Sequence, residues 1–243
     1  MRIYADYHTH TVYSHGLGTI EDNVKIGIEK GLEIISISDH GPSHLGFGIK
    51  RKSLPKMRAE IDYLNIKYPQ IKILLGIEAN ILGLDGSIDV FEEDKKYYDI
   101  ILCGYHFGSS PRNIFRDLKI HFYNLLSKKS KIFFNRAKKL NTIQVVNALN
   151  KNKIDVLTHP GAKGPIDILE IGKAALKSGT ALEINSSHGY LTTEQINEVK
   201  DLGVKFCISS DAHVPNNVGN FEKAIIRANQ AKLDIKNIIN AKE

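Results

Sequence analysis

The stretch IYADYHTH at residues 3–10, followed by TIEDNVKIGIEKG at 19–31 and EIISISDH at 33–40, decides the fold class. The outer two pieces are short apolar runs that predict strands over Ile3–His8 and Glu33–Ser38. Between them Ile20, Val24 and Ile28 recur at four-residue spacing, with Thr19 and Asp22 as a start signal and Gly31 as the stop. That spacing predicts an amphipathic helix. A strand, a helix and a further strand in this order make a right-handed crossover between parallel strands.

Working outward, the same rhythm continues to the end of the chain. Strands are predicted over Ile71–Glu78, Tyr98–His106, Asp155–His159, Thr180–Asn185 and Lys205–Ser210, and helices near Ser53–Lys67, Asn135–Asn150, Ile166–Ser178, Thr193–Leu202 and Asn220–Ala231. About seven strand–helix units define an α/β protein that either closes into a barrel or stays an open doubly wound sheet. No linker, repeat or low-complexity tract divides residues 1–243, so one domain is expected, a usual size for α/β barrels.

The 25% charged and 42% hydrophobic composition is that of an ordinary globular protein. A formal charge of +6 favours anionic partners without demanding nucleic acid. Cys103 and Cys207 both fall in apolar strand runs and read as buried free thiols, which suits a reducing, cytoplasmic setting. No apolar stretch approaches the ~18 residues of a membrane span, so no membrane association is expected.

Metal-binding side chains collect where the strands end. His8 and His10 close the first strand, two residues apart and so on one face. His15 follows in the next loop; Asp39 and His40 close the second strand, Glu78 the third, His106 the fourth and His159 the fifth, while Asp211 and His213 close the last. In a parallel barrel all these ends open on one rim, so residues far apart in sequence converge there. A donor set rich in imidazole with a few carboxylates suits zinc, manganese or iron. Even with Asp39 set aside, nine such donors exceed the needs of one ion and imply two or three, with a carboxylate such as Glu78 able to bridge.

The motifs His8-Thr9-His10, Ser38-Asp39-His40, Gly76-Ile77-Glu78, Gly104-Tyr105-His106, Thr158-His159-Pro160 and Ser210-Asp211-Ala212-His213 resemble, in order and from end to end, those of the PHP (polymerase and histidinol phosphatase) family. The stretches Ser38–Pro42 and Gly76–Asp89 are most similar to its small stand-alone, three-zinc phosphatases. The resemblance implies a distorted (β/α)7 TIM-like barrel with a trinuclear site at the C-terminal rim. It assigns His8, His10, Glu78 and Asp211 to one divalent ion, Glu78, His106 and His159 to a second, and His15, His40 and His213 to a third. His15 stands where many relatives carry Asp. Asp39 is expected to orient a neighbouring ligand rather than bind metal.

Such a site carries a surplus of positive charge and favours a phosphate dianion, with a water between two ions as nucleophile and no Ser or Cys needed. The expected activity is hydrolysis of a small phosphomonoester. Histidinol phosphate, a nucleotide, a sugar phosphate and a phosphotyrosine peptide all fit the motifs. Arg112 and His44 are candidates for contacting substrate, and Asn185 for a hydrogen bond to a ligand or substrate, whereas His121 and His188 read as polar surface or loop residues.

Between Arg112 and Lys139 nine basic residues, among them Arg116, face the single acid Asp117, with Phe115, Phe122, Tyr123, Phe133 and Phe134 interleaved. The segment fits a lid over the site, a contact for single-stranded nucleic acid as in a PHP-type nuclease, or an amphipathic helix with a solvated lysine face. A non-catalytic metal-binding barrel is a further alternative, although every expected position holds a competent ligand. An amidohydrolase is disfavoured because no lysine ends a strand.

Overall fold

The computed structural model describes the backbone of residues 1–243 and the side chains of all but residues 114–116. Phe115 and Arg116 of the basic segment therefore lie outside the described side chains. In chain order the elements are β1 (Arg2–Ile3), β2 (Ala5–Thr9), α1 (Ile20–Glu29), β3 (Ile34–Ile37), α2 (Leu54–Lys67), β4 (Lys72–Asn80), β5 (Ile100–Gly104), α3 (Ile114–Leu126), α4 (Lys131–Lys151), β6 (Val156–Leu157), α5 (Ile168–Ser178), β7 (Ala181–Asn185), α6 (Thr193–Val199), β8 (Phe206–Ser209), α7 (Glu222–Gln230) and β9 (Ala241–Lys242).

The first crossover forms as the sequence predicts. Thr19 and Asp22 exchange hydrogen bonds as a capping box, the Thr19 amide donating to Asp22 Oδ2 at 2.9 Å and the Asp22 amide to Thr19 Oγ1 at 3.1 Å. At the other end Gly31 takes a φ of +70°, which lets the Leu32 amide reach back to the Gly27 carbonyl at 2.9 Å. β3 then enters the sheet beside β2, parallel to it, with Ala5 opposite Ile34.

Strands β2 to β8 lie in chain order, each parallel to the next. The sheet curls until its two edge strands meet. Thr9 bridges Ala212, and the His10 amide donates to the Ala212 carbonyl at 2.8 Å. Of the two architectures the sequence allows, the nearly closed barrel is the one formed. Burial on both faces explains the continuous apolar runs: all five residues of β7 and all four of β8 are buried. Outside the barrel, β1 and β9 pair antiparallel as a short ribbon.

The seam between β2 and β8 is held by a carboxylate as well as by the backbone. Asp6, fully buried on β2, accepts from the Ser210 hydroxyl at 2.5 Å, the Ser210 amide at 3.2 Å and the Gly219 amide at 2.9 Å. It therefore fixes the turn that carries Asp211 and His213.

The basic segment is a helical hairpin, α3 and α4, and α4 begins at Lys131, four residues before the predicted start. Two of its cations are occupied internally. Lys138 Nζ lies 2.8 Å from Asp167, and the Arg136 guanidinium donates to the Tyr123 hydroxyl at 2.9 Å. A reciprocal amide pair ties α3 to α4, and a further bond from it ties the hairpin to the loop after β6. Asn124 and Asn141 donate to each other at 2.9 and 2.7 Å, and Asn141 also donates to the Pro165 carbonyl at 2.9 Å. Gly164 makes room for that pair: a Cβ there would stand 2.4 Å from Asn124 Oδ1.

Candidate metal centre

The strand ends converge as the barrel requires. Glu78, fully buried on β4, lies at the middle of the cluster. Its Oε1 is 3.1 Å from His106 Nε2, 2.9 Å from His159 Nε2 and 3.4 Å from His8 Nε2; its Oε2 is 2.8 Å from His40 Nδ1 and 3.7 Å from His10 Nε2. Asp211 Oδ1 stands 3.3 Å from His10 Nε2, 3.5 Å from His8 Nε2 and 3.5 Å from His213 Nδ1. The His15 ring packs 4.8 Å from His40 and 4.2 Å from His213, centroid to centroid. His159 and Asp211 sit at φ +27° and +55°, strained values for residues with side chains, held by the network around them.

Behind these side chains a further set of polar groups fixes their orientation. Glu183 Oε1 lies 2.7 Å from His8 Nδ1, so with that nitrogen as donor the Nε2 lone pair faces the cluster. Asn185 donates to Glu183 Oε2 at 2.9 Å and to Asp211 Oδ2 at 3.1 Å. His106 Nδ1 meets Asn80 Oδ1 at 2.9 Å, and Asn80 in turn donates to Asp89 at 2.7 Å. Asp39 accepts from the Thr11 amide at 2.7 Å, the Thr11 hydroxyl at 2.6 Å and the Ser14 hydroxyl at 2.5 Å, which holds the loop that presents His15.

The electrostatics of the two carboxylates and of His10, His15 and His106 favour cation binding. Burial opposes a charge on Glu78, yet the imidazoles of His106, His8 and His40 outweigh it and hold the carboxyl well below its ordinary range. Asp211 is held low in the same way, by His8 and His10 against burial. Burial pushes His10 well down, His15 to about 4 and His106 to about 3, so these rings present uncharged lone pairs near neutral pH. His8 goes the other way: Glu183, Glu78 and Asp211 overcome its burial and raise it.

Whether these donors fit metal ions can be judged from their unmet bonding. His40 Nδ1 and Glu78 Oε2 are 2.8 Å apart but out of hydrogen-bond geometry, and both stand unsatisfied among the described residues, as do His10 Nδ1 and His15 Nδ1. Buried polar atoms are almost always satisfied, so orphans gathered here, with His40 Nδ1 and Glu78 Oε2 side by side, are bonding that a cation could complete. Four sets have donor atoms within 4.8 Å of one another: His10, His15, His40 and His213; His8, His10 and Asp211; His40, Glu78 and His106; and His159, His188 and Asp211. The donors fit divalent transition metals.

A cleft of about 560 Å³ opens over the cluster. His44 lines it, with its Nδ1 accepting from the Phe47 amide at 3.1 Å and its ring bonded to the Phe107 backbone. Arg112 does not line it. Arg112 is exposed, its amide bonded to the Leu82 carbonyl at 2.8 Å, and the lysine at the cleft wall is Lys163. His188 is no idle loop residue: its Nε2 lies 3.3 Å from Asp211 Oδ2. His121 is half-buried rather than a surface residue, its Nδ1 2.8 Å from the Tyr105 hydroxyl.

A nearly closed parallel barrel thus carries at its C-terminal rim a histidine and acid cluster able to hold metal ions. The PHP domain model matches residues 6–187, and the chain belongs to the PHP family. A probable phosphatase of Shewanella piezotolerans is 30% identical, the match covering 99% of this chain and 90% of that protein. One of Shewanella oneidensis is 31% identical over 93% and 82% of the two chains. Among solved structures, histidinol phosphate phosphatase from Lactococcus lactis, complexed with zinc, L-histidinol and phosphate, superposes with a TM-score of 0.63 at 16% identity, over 95% of this chain and 94% of that one. Among the described residues no helix is long and apolar enough to cross a membrane.

Proposed function

We propose that this chain is a metal-dependent phosphomonoesterase acting on a small phosphorylated metabolite at three divalent ions, zinc by preference. The convergence of seven histidines on Glu78 and Asp211, with buried donor atoms left unsatisfied, carries the reading. The names of the Shewanella relatives and the ligands of the Lactococcus enzyme point the same way. His8, His10, Glu78 and Asp211 would hold one ion, Glu78, His106 and His159 another, and His15, His40 and His213 the third.

Divalent ions bound there supply charge to neutralise the phosphate and acidity that makes a water nucleophilic near neutral pH. The chain's own groups orient and select. Glu183 keeps the His8 Nδ1 proton on the outer side, and Asn185 holds Asp211 by its Oδ2. Lys163 adds a positive charge at the wall for an anionic substrate. His44, with Nδ1 occupied by backbone amides, packs against His40 and Phe47 and shapes the cleft.

The test is phosphate release by zinc- or manganese-loaded protein from a panel of phosphomonoesters that includes histidinol phosphate, with a phosphodiester beside them and His40→Ala as control. Release from monoesters that is lost in the variant is the expected result. Cleavage of the diester alone would replace the reading with a nuclease, and fewer than two tightly held transition-metal ions per chain would sink the multinuclear site. Glu183→Gln is expected to keep the fold and weaken metal binding by about 10–100-fold, measurable by competition with a chelator. Unchanged affinity would remove Glu183 from the support of His8.

A further inference from the structure

A second cleft of about 560 Å³ opens beside the one above the metal centre. The two meet along Phe107 and Lys163, which line both. One wall of the second cleft is the α3–α4 hairpin and the other is the loop after β6. Its lining differs in kind from that of its neighbour. Phe107 and Phe134, each 44% exposed, leave ring surface uncovered, and Tyr190 adds a third ring. Lys128, exposed on the turn between α3 and α4, and Lys163 supply two positive charges. Among the described residues no carboxylate lines this cleft.

The cleft is also built before anything enters it. The Asn124–Asn141 pair, with the bond from Asn141 to the Pro165 carbonyl, fixes hairpin and loop relative to one another. Large aromatics left uncovered in a rigid concave site, with a few cations, are the lining of a small-molecule subsite.

We propose that this second cleft receives the organic part of the phosphomonoester, and that it selects a flat aromatic group bearing negative charge over one bearing positive charge. The inference rests on the phosphatase reading above. A phosphate seated over the metal centre lies on one side of Phe107 and Lys163, so the rest of the substrate can cross to the other. Phe134 on the hairpin, with Phe107 after β5 and Tyr190 after β7, offers faces and edges to a planar group. Lys128 and Lys163 attract an anion in a cleft with no opposing carboxylate among the described residues. The amine of L-histidinol, protonated at neutral pH, would meet those lysines unfavourably, so the leaving group expected here differs from that of the Lactococcus enzyme.

The experiment uses two benzylphosphonates, stable mimics of an aryl phosphate, one with a para-carboxymethyl and one with a para-aminomethyl group. Their binding to zinc-loaded protein is measured by calorimetry. The carboxylate is expected to bind at least about tenfold more tightly, equivalent to roughly 1.4 kcal/mol. In Lys128→Gln, a change on an exposed turn, the gap should shrink severalfold, and Phe134→Ala should weaken both ligands. Equal affinities, tighter binding of the amine, or no binding of either would overturn the inference. The corresponding phosphate esters, assayed alongside, separate the two readings. A carboxylate preference without hydrolysis of either ester would remove the phosphatase reading, whereas hydrolysis of both with equal phosphonate affinities would remove the subsite alone.

Discussion

Glu78→Gln is expected to lower phosphate release by at least about a thousandfold and to leave fewer than two transition-metal ions on each chain. Glu78 is fully buried and contacts five imidazoles, from His8, His10, His40, His106 and His159. Glutamine keeps the shape but removes the negative charge and places an amide N–H₂ where the cluster offers lone pairs. Its neutral carbonyl oxygen would be a poorer ligand than the carboxylate that the proposed site shares between two cations. Elemental analysis and the phosphate assay read the two halves of the expectation, with circular dichroism as the check that the barrel still folds. Full metal content and activity in the variant would show that Glu78 is not the shared ligand.

Asp6→Ala has its largest expected effect on stability, at about 3 kcal/mol. The substitution strands three backbone amides and a hydroxyl, those of Ser210 and Gly219 at the β2–β8 seam, the more distant His8 amide and the Ser210 hydroxyl, which now have a carboxylate. For a chain of this size that corresponds to a fall of about 6–12 °C in melting temperature. The same turn presents Asp211 and His213, so metal content should fall with it. A melting temperature within a degree or two of the parent protein would show that the seam closes without Asp6.

Most of the barrel was legible because the signals were local. The Thr19 and Asp22 start, the Gly31 stop and the apolar strands all act within a few residues, and each of the seven sheet strands lies within its predicted range or within two residues of it. α3 was not legible as a separate helix. Leu118, Phe122 and Leu125 keep helical spacing yet are exposed while Ile120 is buried, so the apolar stripe of α3 does not mark the face by which it packs. The two-residue ribbon of β1 and β9 depends on a pairing between opposite ends of the chain, which no local pattern records.

The candidate ligands were readable because all but His15, which follows in a loop, sit at or just beyond a strand end. The groups that orient them are hidden by context. Glu183 lies inside β7, an otherwise apolar run, and only its neighbour two residues on, Asn185, hinted that this face carries polar work. A carboxylate in a fully buried strand was itself the available signal, since such a charge persists only when paired. His188 and Lys163 lie on loops whose path is set by the barrel, so their arrival at the cleft has no sequence signature. Arg112 failed for the same reason: its spacing from His106 says nothing about which way the loop turns.

Cys103 on β5 and Cys207 on β8 are both completely buried, and burial pushes both thiols far above their ordinary range. Neither can present a thiolate to a reagent while the barrel wall stands. The two sulfurs are therefore built-in reporters of opening. With a reagent that attacks faster than the wall recloses, the labelling rate measures how often the β5 or β8 region breathes, and any difference between the sites maps which stretch of the wall parts first.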